Sequence, residues 1–181
     1  SYELSIRQDL APSLWDRVIA AAKAEGGGPL GIEALMILRA EKGFVVIGKD
    51  TDGMTRPMDL GSDAPLRRKA ADFLGRRSLT LPEASRPDRN QLVGLVPTDG
   101  KGALPTGAHG VEMRGGARRS IGYVTSSYPG AAVPHPVALG LIERGAQRHG
   151  EEITLYHLGV PRRARLVAPC FLDPNGDRLD A

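Results

Sequence analysis

The sequence predicts an α+β fold: a partial α/β domain over residues 1–86, then a small antiparallel β-barrel over 87–181. Three observations carry this reading. Apolar residues recur at helical spacing in two early stretches, each closed by glycine. From Gln91 onward the chain is a series of short apolar runs separated by Gly, Pro and Asp. Between these regions, from Pro82 to Asp88, the character of the chain changes.

The elements follow in order. Residues 2–7, YELSIR, alternate as a strand does, with Tyr2, Leu4 and Ile6 on one face and Glu3 and Ser5 on the other. There is no initiator Met, and a strand at the first residues reads as half of something larger. Pro12 suits the first turn of a helix. Trp15, Val18, Ile19 and Ala22 then recur at helical spacing, which predicts a buried face. Gly26-Gly27-Gly28-Pro29 ends that helix. A second helix is expected from about Ile32 to Lys42, with Leu35 and Leu38 inward and Gly43 as its cap. Phe44 to Ile47 reads as a short strand, 49–65 as loop and 66–81 as a basic helix. The runs QLVGLV, HGVEM, SIGYVT, VALGLI, EITLYHL and RLVAP supply the barrel.

Composition narrows the function. The 181 residues are 41% hydrophobic and 25% charged, as in ordinary globular proteins. The longest apolar run falls far short of the roughly 20 residues of a membrane helix. No targeting segment is visible. The single Cys170 excludes an intrachain disulfide and a cysteine zinc site, so a reducing, cytoplasmic compartment is expected. Net charge is +3, with clusters at Arg67–Lys69 with Arg76-Arg77, at Arg114 with Arg118-Arg119, and at Arg162-Arg163 with Arg165. Aromatics are only 4% and do not interleave with the first two clusters, so a solvated basic face is expected rather than a nucleic-acid platform.

Several stretches invite chemical readings and mostly decline them. GKDTDGMTRP opens like a calcium loop, but no Glu follows until Glu83, and Asp-Gly is ordinary turn chemistry. EGGGPLG joins helix to helix without the lysine of a phosphate loop, so it is a linker. His109, His135, His149 and His157 show no helical metal spacing, no GxSxG elbow exists, and Cys170, after Pro169 in an apolar stretch, reads as a packed thiol rather than a nucleophile. Glu3 has two readings. One is an exposed strand carboxylate. The other is an anchor that accepts two parallel N–H bonds from an amidine-like edge, such as that of a pterin.

Several blocks together resemble the aminomethyltransferase family, the glycine-cleavage T-protein and its relatives. SYELSI resembles the family strand that carries GE-x-x-[YF]-E. GIEALMILRAEKGFVVIGKDTDGMTRPMDLG is similar to the next block, with R-x-E-x-G and then G-x-D-x-D. DFLGRRSL resembles DF-[IV]-G-[KR], and SIGYVTSSYPGAAVPHPVALGLI the G-x-[VI]-T-S signature of the C-terminal barrel. The order holds across nearly the whole chain. ALMILRAEKGF, VTSSY and VAPCFLDPNGDRLD are most similar to one branch, the alpha subunits of heterotetrameric sarcosine oxidase.

The resemblance implies a division of labour. A flavin (FAD or FMN), with NAD, lies elsewhere in the full complex and oxidises a secondary amine to an imine. The folate site captures the imine on tetrahydrofolate as 5,10-methylenetetrahydrofolate. It implies other oxidase subunits and a missing N-terminal half as partners; from the residues themselves no metal site, nucleic-acid role or membrane is expected. It assigns cofactor binding to Glu3, which matches the pterin-binding glutamate, and to its neighbour Tyr2. The catalytic residue is left unknown. Arg39 and Glu41 match R-x-E and read as structural. Ser126, Ser127 and Tyr128 match the barrel signature and face either the folate tail or a subunit contact. Leu35 stands where glycine-cleavage members carry an arginine for the folate tail. SDAPL stands where an apolar, tryptophan-bearing strand is common. Two alternatives stay open: a transferase acting on a carrier protein or a dimethylglycine oxidase-like enzyme, and a non-catalytic folate-binding scaffold.

Overall fold

The six apolar runs are the six strands of a computed structural model, which describes residues 2–180. They are β1 (Asn90–Pro97), β2 (His109–Arg114), β3 (Ala117–Tyr128), β4 (Val137–Glu143), β5 (Glu152–His157) and β6 (Val160–Val167). Every pairing is antiparallel, and the strands close into a barrel in the order β1-β4-β3-β2-β5-β6. Closure removes the exposed sheet edges that invite aggregation.

The barrel interior is filled by alternate residues, among them Val93, Leu95, Ile121, Val124, Ile142, Leu155 and Leu166. β1 and β4 are covered on their outer faces as well. There Leu92, Leu139 and Leu141 form a second cluster with Ala40, and Val45, Leu60 and Phe171 pack against it. This explains why VALGLI is a continuous apolar run with six consecutive buried residues, whereas β6 alternates. A strand covered on both faces has no solvent side on which to place polar residues.

The helical half divides differently from its periodicity. The chain forms two compact units, one ending at Leu35 and one beginning at Met36. In the first, a 3-10 turn (Gln8–Leu10) leads into α1 (Ala11–Ala24), with Pro12 in its first turn as expected. Residues 2–7 are extended but form no strand. A strand exists only through ladder partners, and the described residues offer none there. The expected burial of Trp15 and Val18 also fails: they are 59% and 43% exposed. An apolar stripe is a capacity for burial, and nothing among the described residues covers Trp15 or Val18.

The second helix is α2 (Ile32–Lys42), ended by Gly43 at φ +80°. A Cβ at Gly43 would also lie 2.6 Å from the Pro169 carbonyl oxygen, so the position excludes a side chain twice over. Leu35 and Leu38 are exposed, not inward; the buried residues of α2 are Arg39, Ala40 and Glu41. The expected strand at Phe44–Ile47 is a loop running into a turn over 47–50. The expected helix over 66–81 is only α3 (Ala64–Arg68), followed by loop and a 3-10 turn at Arg76–Thr80. A helix this short is not stable alone, and Gly75 interrupts the pattern.

One basic cluster is partly structural. Arg162 is buried, and its guanidinium holds Asp99 through Nη2 at 3.0 Å while also donating to the Ala103 and Gly102 carbonyls. That correction follows from β6 alternation, which turns Arg162 toward the β1–β2 connection. The Arg162 hydrogen bond holds the Asp99 carboxyl at about 2, against an ordinary 3.8. A depressed carboxyl stabilises the fold above its unfolded pKa, and the contribution vanishes as pH falls through its folded one. We expect Asp99→Asn to lower stability at pH 7 by about 2 kcal/mol and to flatten the acid dependence between about pH 4 and pH 2. Thermal melts across that range check this, and parallel curves for the two proteins would refute it.

Candidate functional site

The family-like motifs meet in one buried cluster where the last turn of α2 enters the barrel. Arg39 and Glu41 are two residues apart, so they leave the helix about 200° apart and reach different partners. Arg39 Nη1 pairs with the Asp50 carboxylate and donates to the Phe44 carbonyl at 3.1 Å; its Nη2 donates to Ser126 Oγ at 2.6 Å. Asp50 is completely buried. It accepts from Thr125 Oγ and Ser126 Oγ, each at 2.6 Å, and from the Val46 amide at 2.9 Å.

Two adjacent strand residues normally face opposite ways. Thr125 and Ser126 both reach Asp50 because the register slips between Val124 and Ser126: Val124 pairs with Gly140, and Ser126 with Leu139. The bulge turns consecutive hydroxyls to one carboxylate. Burial pushes the Asp50 carboxyl up, but the Ser126 and Thr125 hydrogen bonds, the Val46 amide and the Arg39 charge together hold it below the ordinary range.

Glu41 organises the other side. Its Oε1 accepts the Ala131, Ala132 and Val133 amides at 2.6, 2.8 and 3.3 Å, while Oε2 is buried with no partner. The Glu41 carbonyl accepts the Phe171 and Leu172 amides. Lys42 reaches Asp173 Oδ2 at 3.1 Å. The helix end thus holds the β3–β4 loop and the C-terminal segment together. This supports the structural reading of Arg39 and Glu41. Ser126 is fully buried against Asp50, so the expectation that it faces folate or a subunit is corrected. Ser127 Oγ is buried without a partner.

Tyr128 is the member of that signature with an accessible edge. Lys49 Nζ lies 2.8 Å from its hydroxyl and 5.2 Å from its ring centre, and the Arg39 guanidinium lies 5.8 Å from the ring. Burial raises this hydroxyl, but Lys49 and Arg39 outweigh it and hold the group below the ordinary 10.0.

The predicted binding pair lies in the first unit. Tyr2 is 98% exposed and Glu3 is exposed. Asp50 was legible only as a turn residue, and Thr125 carried no signal beyond the barrel motif. Among the described residues no group of three His, Cys, Asp or Glu could hold a metal ion. Asp52, in the calcium-like stretch, instead accepts Thr55 Oγ1 and the Met54 amide, each at 2.9 Å. His109 Nδ1 sits 3.0 Å from Ser120 Oγ, and His135 Nδ1 3.1 Å from the Pro136 carbonyl oxygen. Cys170 Sγ donates to the Leu172 carbonyl at 3.2 Å. The second basic cluster does meet an aromatic, since Arg118 lies 5.4 Å from the Tyr156 ring centre. Sequence spacing hid this because β5 enters the sheet from far along the chain. Among the described residues no helix is long and apolar enough to cross a membrane.

Comparison with known proteins bears on both units. Residues 1–68 match the model of the GCVT N-terminal domain, and residues 90–173 that of the glycine cleavage T-protein C-terminal barrel domain. The chain is 36% identical to sarcosine oxidase subunit alpha of Rhizobium meliloti, over 99% of this chain and 18% of that protein. It is 30% identical to an aminomethyltransferase of Moorella thermoacetica, over 92% of this chain and 44% of that protein. The crystal structure of glycine cleavage system aminomethyltransferase T from Bartonella henselae superposes with a TM-score of 0.73, at 25% identity. That match covers 92% of this chain and 45% of that one. The chain therefore spans under a fifth of the oxidase relative and under half of the transferases.

Proposed function

The chain belongs to the aminomethyltransferase (glycine-cleavage T-protein) family, and from that premise we propose that it is the folate-binding part of a sarcosine oxidase alpha subunit. The observation that carries the finer reading is likeness to that subunit over 99% of this chain. In this reading the one-carbon unit of the imine from sarcosine oxidation passes to tetrahydrofolate as substrate. Flavin (FAD or FMN) and NAD belong to other parts of the complex, and the remaining subunits are partners. The setting is cytoplasmic and the assembly a hetero-oligomer. The folate-binding portion extends to about residue 86, with the barrel after it.

The contribution of this chain is binding and orientation. Glu3 accepts two N–H bonds from the pterin edge, a charge-assisted pairing that fixes the ring as well as holding it. Tyr2 lies beside it against the ring. Holding an amine near an arriving imine converts a bimolecular capture into an effectively intramolecular one. The latch of Arg39, Asp50 and Glu41 keeps the barrel and its loop in place and touches no substrate. The 30% identity to an aminomethyltransferase supports the alternative of transfer from a carrier protein, with the same pterin anchor.

The test is calorimetric titration of the full-length protein with 5-formyltetrahydrofolate. We expect Glu3→Gln to weaken binding roughly tenfold to a hundredfold, the magnitude of a lost charged hydrogen bond. During sarcosine turnover the same variant should release more of the carbon as formaldehyde. Unchanged affinity would remove Glu3 from the site.

A further inference from the structure

The β2–β3 and β5–β6 hairpins close with the same two-residue turn but fill it differently. Between Arg114 and Ala117 the turn is Gly115-Gly116, at φ +57° and +76°. Between His157 and Val160 it is Leu158-Gly159, at φ +48° and +79°. Glycine, asparagine and aspartate are the usual residues where both turn positions take positive φ. Among the described residues Leu158 is the apolar member of the three non-glycine residues with positive φ. A leucine there crowds its Cβ against the following carbonyl oxygen.

Nothing among the described residues offsets that strain. Leu158 is 91% exposed, and Val160 beside the turn is 57% exposed. A strained backbone that also holds an apolar side chain in water points to a contact outside this chain. The ground next to the tip is basic. Ile153 and Leu155 fill the interior, so Glu152, Thr154 and Tyr156 face outward on β5, with Arg165, Arg163 and Pro161 opposite them on β6. Arg118 reaches the same face from β3, its guanidinium 5.4 Å from the Tyr156 ring centre. Against these three cations stands one carboxylate, Glu152, which Arg163 meets at 3.5 Å. Arg118 and Arg165 have no carboxylate partner among the described residues.

We propose that the β5–β6 hairpin is a docking knob: Leu158 enters an apolar pocket on another subunit of the assembly, and Arg118 and Arg165 meet carboxylates on its rim. An apolar centre within a charged, complementary rim is the ordinary anatomy of a protein interface. A bilayer fits less well, because one leucine and one valine bury less than a single acyl chain, itself a marginal anchor. The inference rests on the hetero-oligomer proposed above and names the surface of this chain that holds it.

The experiment follows the purified complex of full-length subunits by native mass spectrometry over a dilution series, alongside its Leu158→Asn and Arg165→Glu variants. Asparagine suits the turn better than leucine, so a leucine that served the fold alone would leave assembly unchanged. We expect the Leu158→Asn complex to dissociate at concentrations roughly tenfold to a hundredfold higher. Hydrogen exchange at the β5 and β6 amides should stay as slow as before. Arg165→Glu should weaken assembly most at low ionic strength. A photoreactive Leu158→benzoylphenylalanine variant should crosslink to another subunit. A Leu158→Asn complex as firm as the unaltered one overturns the inference and leaves the hetero-oligomer standing. An unaltered protein that holds no second subunit overturns both. A crosslink within the same polypeptide, binding of the tip to phosphatidylserine vesicles, or lost protection in the hairpin also overturns the docking knob.

Discussion

Asp50→Ala is expected to destabilise the barrel unit by about 3–5 kcal/mol, the cost of leaving a buried charge without its partner. Arg39 is the charge left behind, with its side chain 7% exposed. Ser126 loses its acceptor at the same time, and Thr125 keeps only the Leu139 carbonyl at 3.2 Å. Water cannot readily replace the carboxylate, because Ala40, Leu139 and Val137 close the neighbouring cluster. The double variant Arg39→Met/Asp50→Ala removes both charges. It should recover much of the loss, because burying the pair itself carries a desolvation cost. Hydrogen exchange at the amides of β3 and β4 in the full-length protein reads the effect locally. Protection that survives in the single variant, or equal losses in single and double variants, would refute the network account. Acid should act in the same direction. The folded carboxyl lies below its ordinary 3.8, so its contribution is intact above that value and is lost as pH falls further.

The network also shows where the sequence was readable and where it was not. The barrel was legible run by run, because short apolar segments between turn residues have few other destinations. The Gly43 cap and the proline at the start of α1 were legible because their causes are local. The face of α2 was not. Leu35 and Leu38 carry helical spacing, yet the residues withdrawn from water are Arg39 and Glu41. Their burial depends on a carboxylate 11 residues away, one hydroxyl almost 90 residues away and loop amides about 90 residues away. No period within one segment encodes such partners. The stretch 2–7 fails for the converse reason. Its alternation is a real strand pattern, but strand formation needs a neighbour, and the described residues offer none. Glu3 was therefore legible as chemistry and not as structure, whereas Asp50 was the reverse.

Gly122→Ala is expected to be the most damaging small substitution in the barrel, at more than about 4 kcal/mol. Gly122 sits in β3 at φ +128°, a conformation that side chains rarely adopt. It pairs with Gly110 on β2 and with Ile142 on β4, next to the register shift between Gly110 and Val111. A Cβ placed there would lie 1.9 Å from the Leu141 carbonyl oxygen and 2.8 Å from Ile142 Cα. Both obstacles are backbone, so no rotamer change relieves them; the β3–β4 ladder itself would have to open. Glycine at this point lets the strand turn sharply where the barrel closes. The sequence motif S-I-G-Y-V-T therefore has a backbone reason for its glycine, independent of any ligand. The comparison is Gly115→Ala in the β2–β3 turn. There φ is +57° and nothing lies within 4 Å of a new Cβ, so only the conformational penalty of about 1 kcal/mol remains. Thermal unfolding of the two variants side by side separates collision from strain. A Gly122→Ala protein that melts with Gly115→Ala would mean that the ladder yields at no cost and that close approach is not what fixes this position.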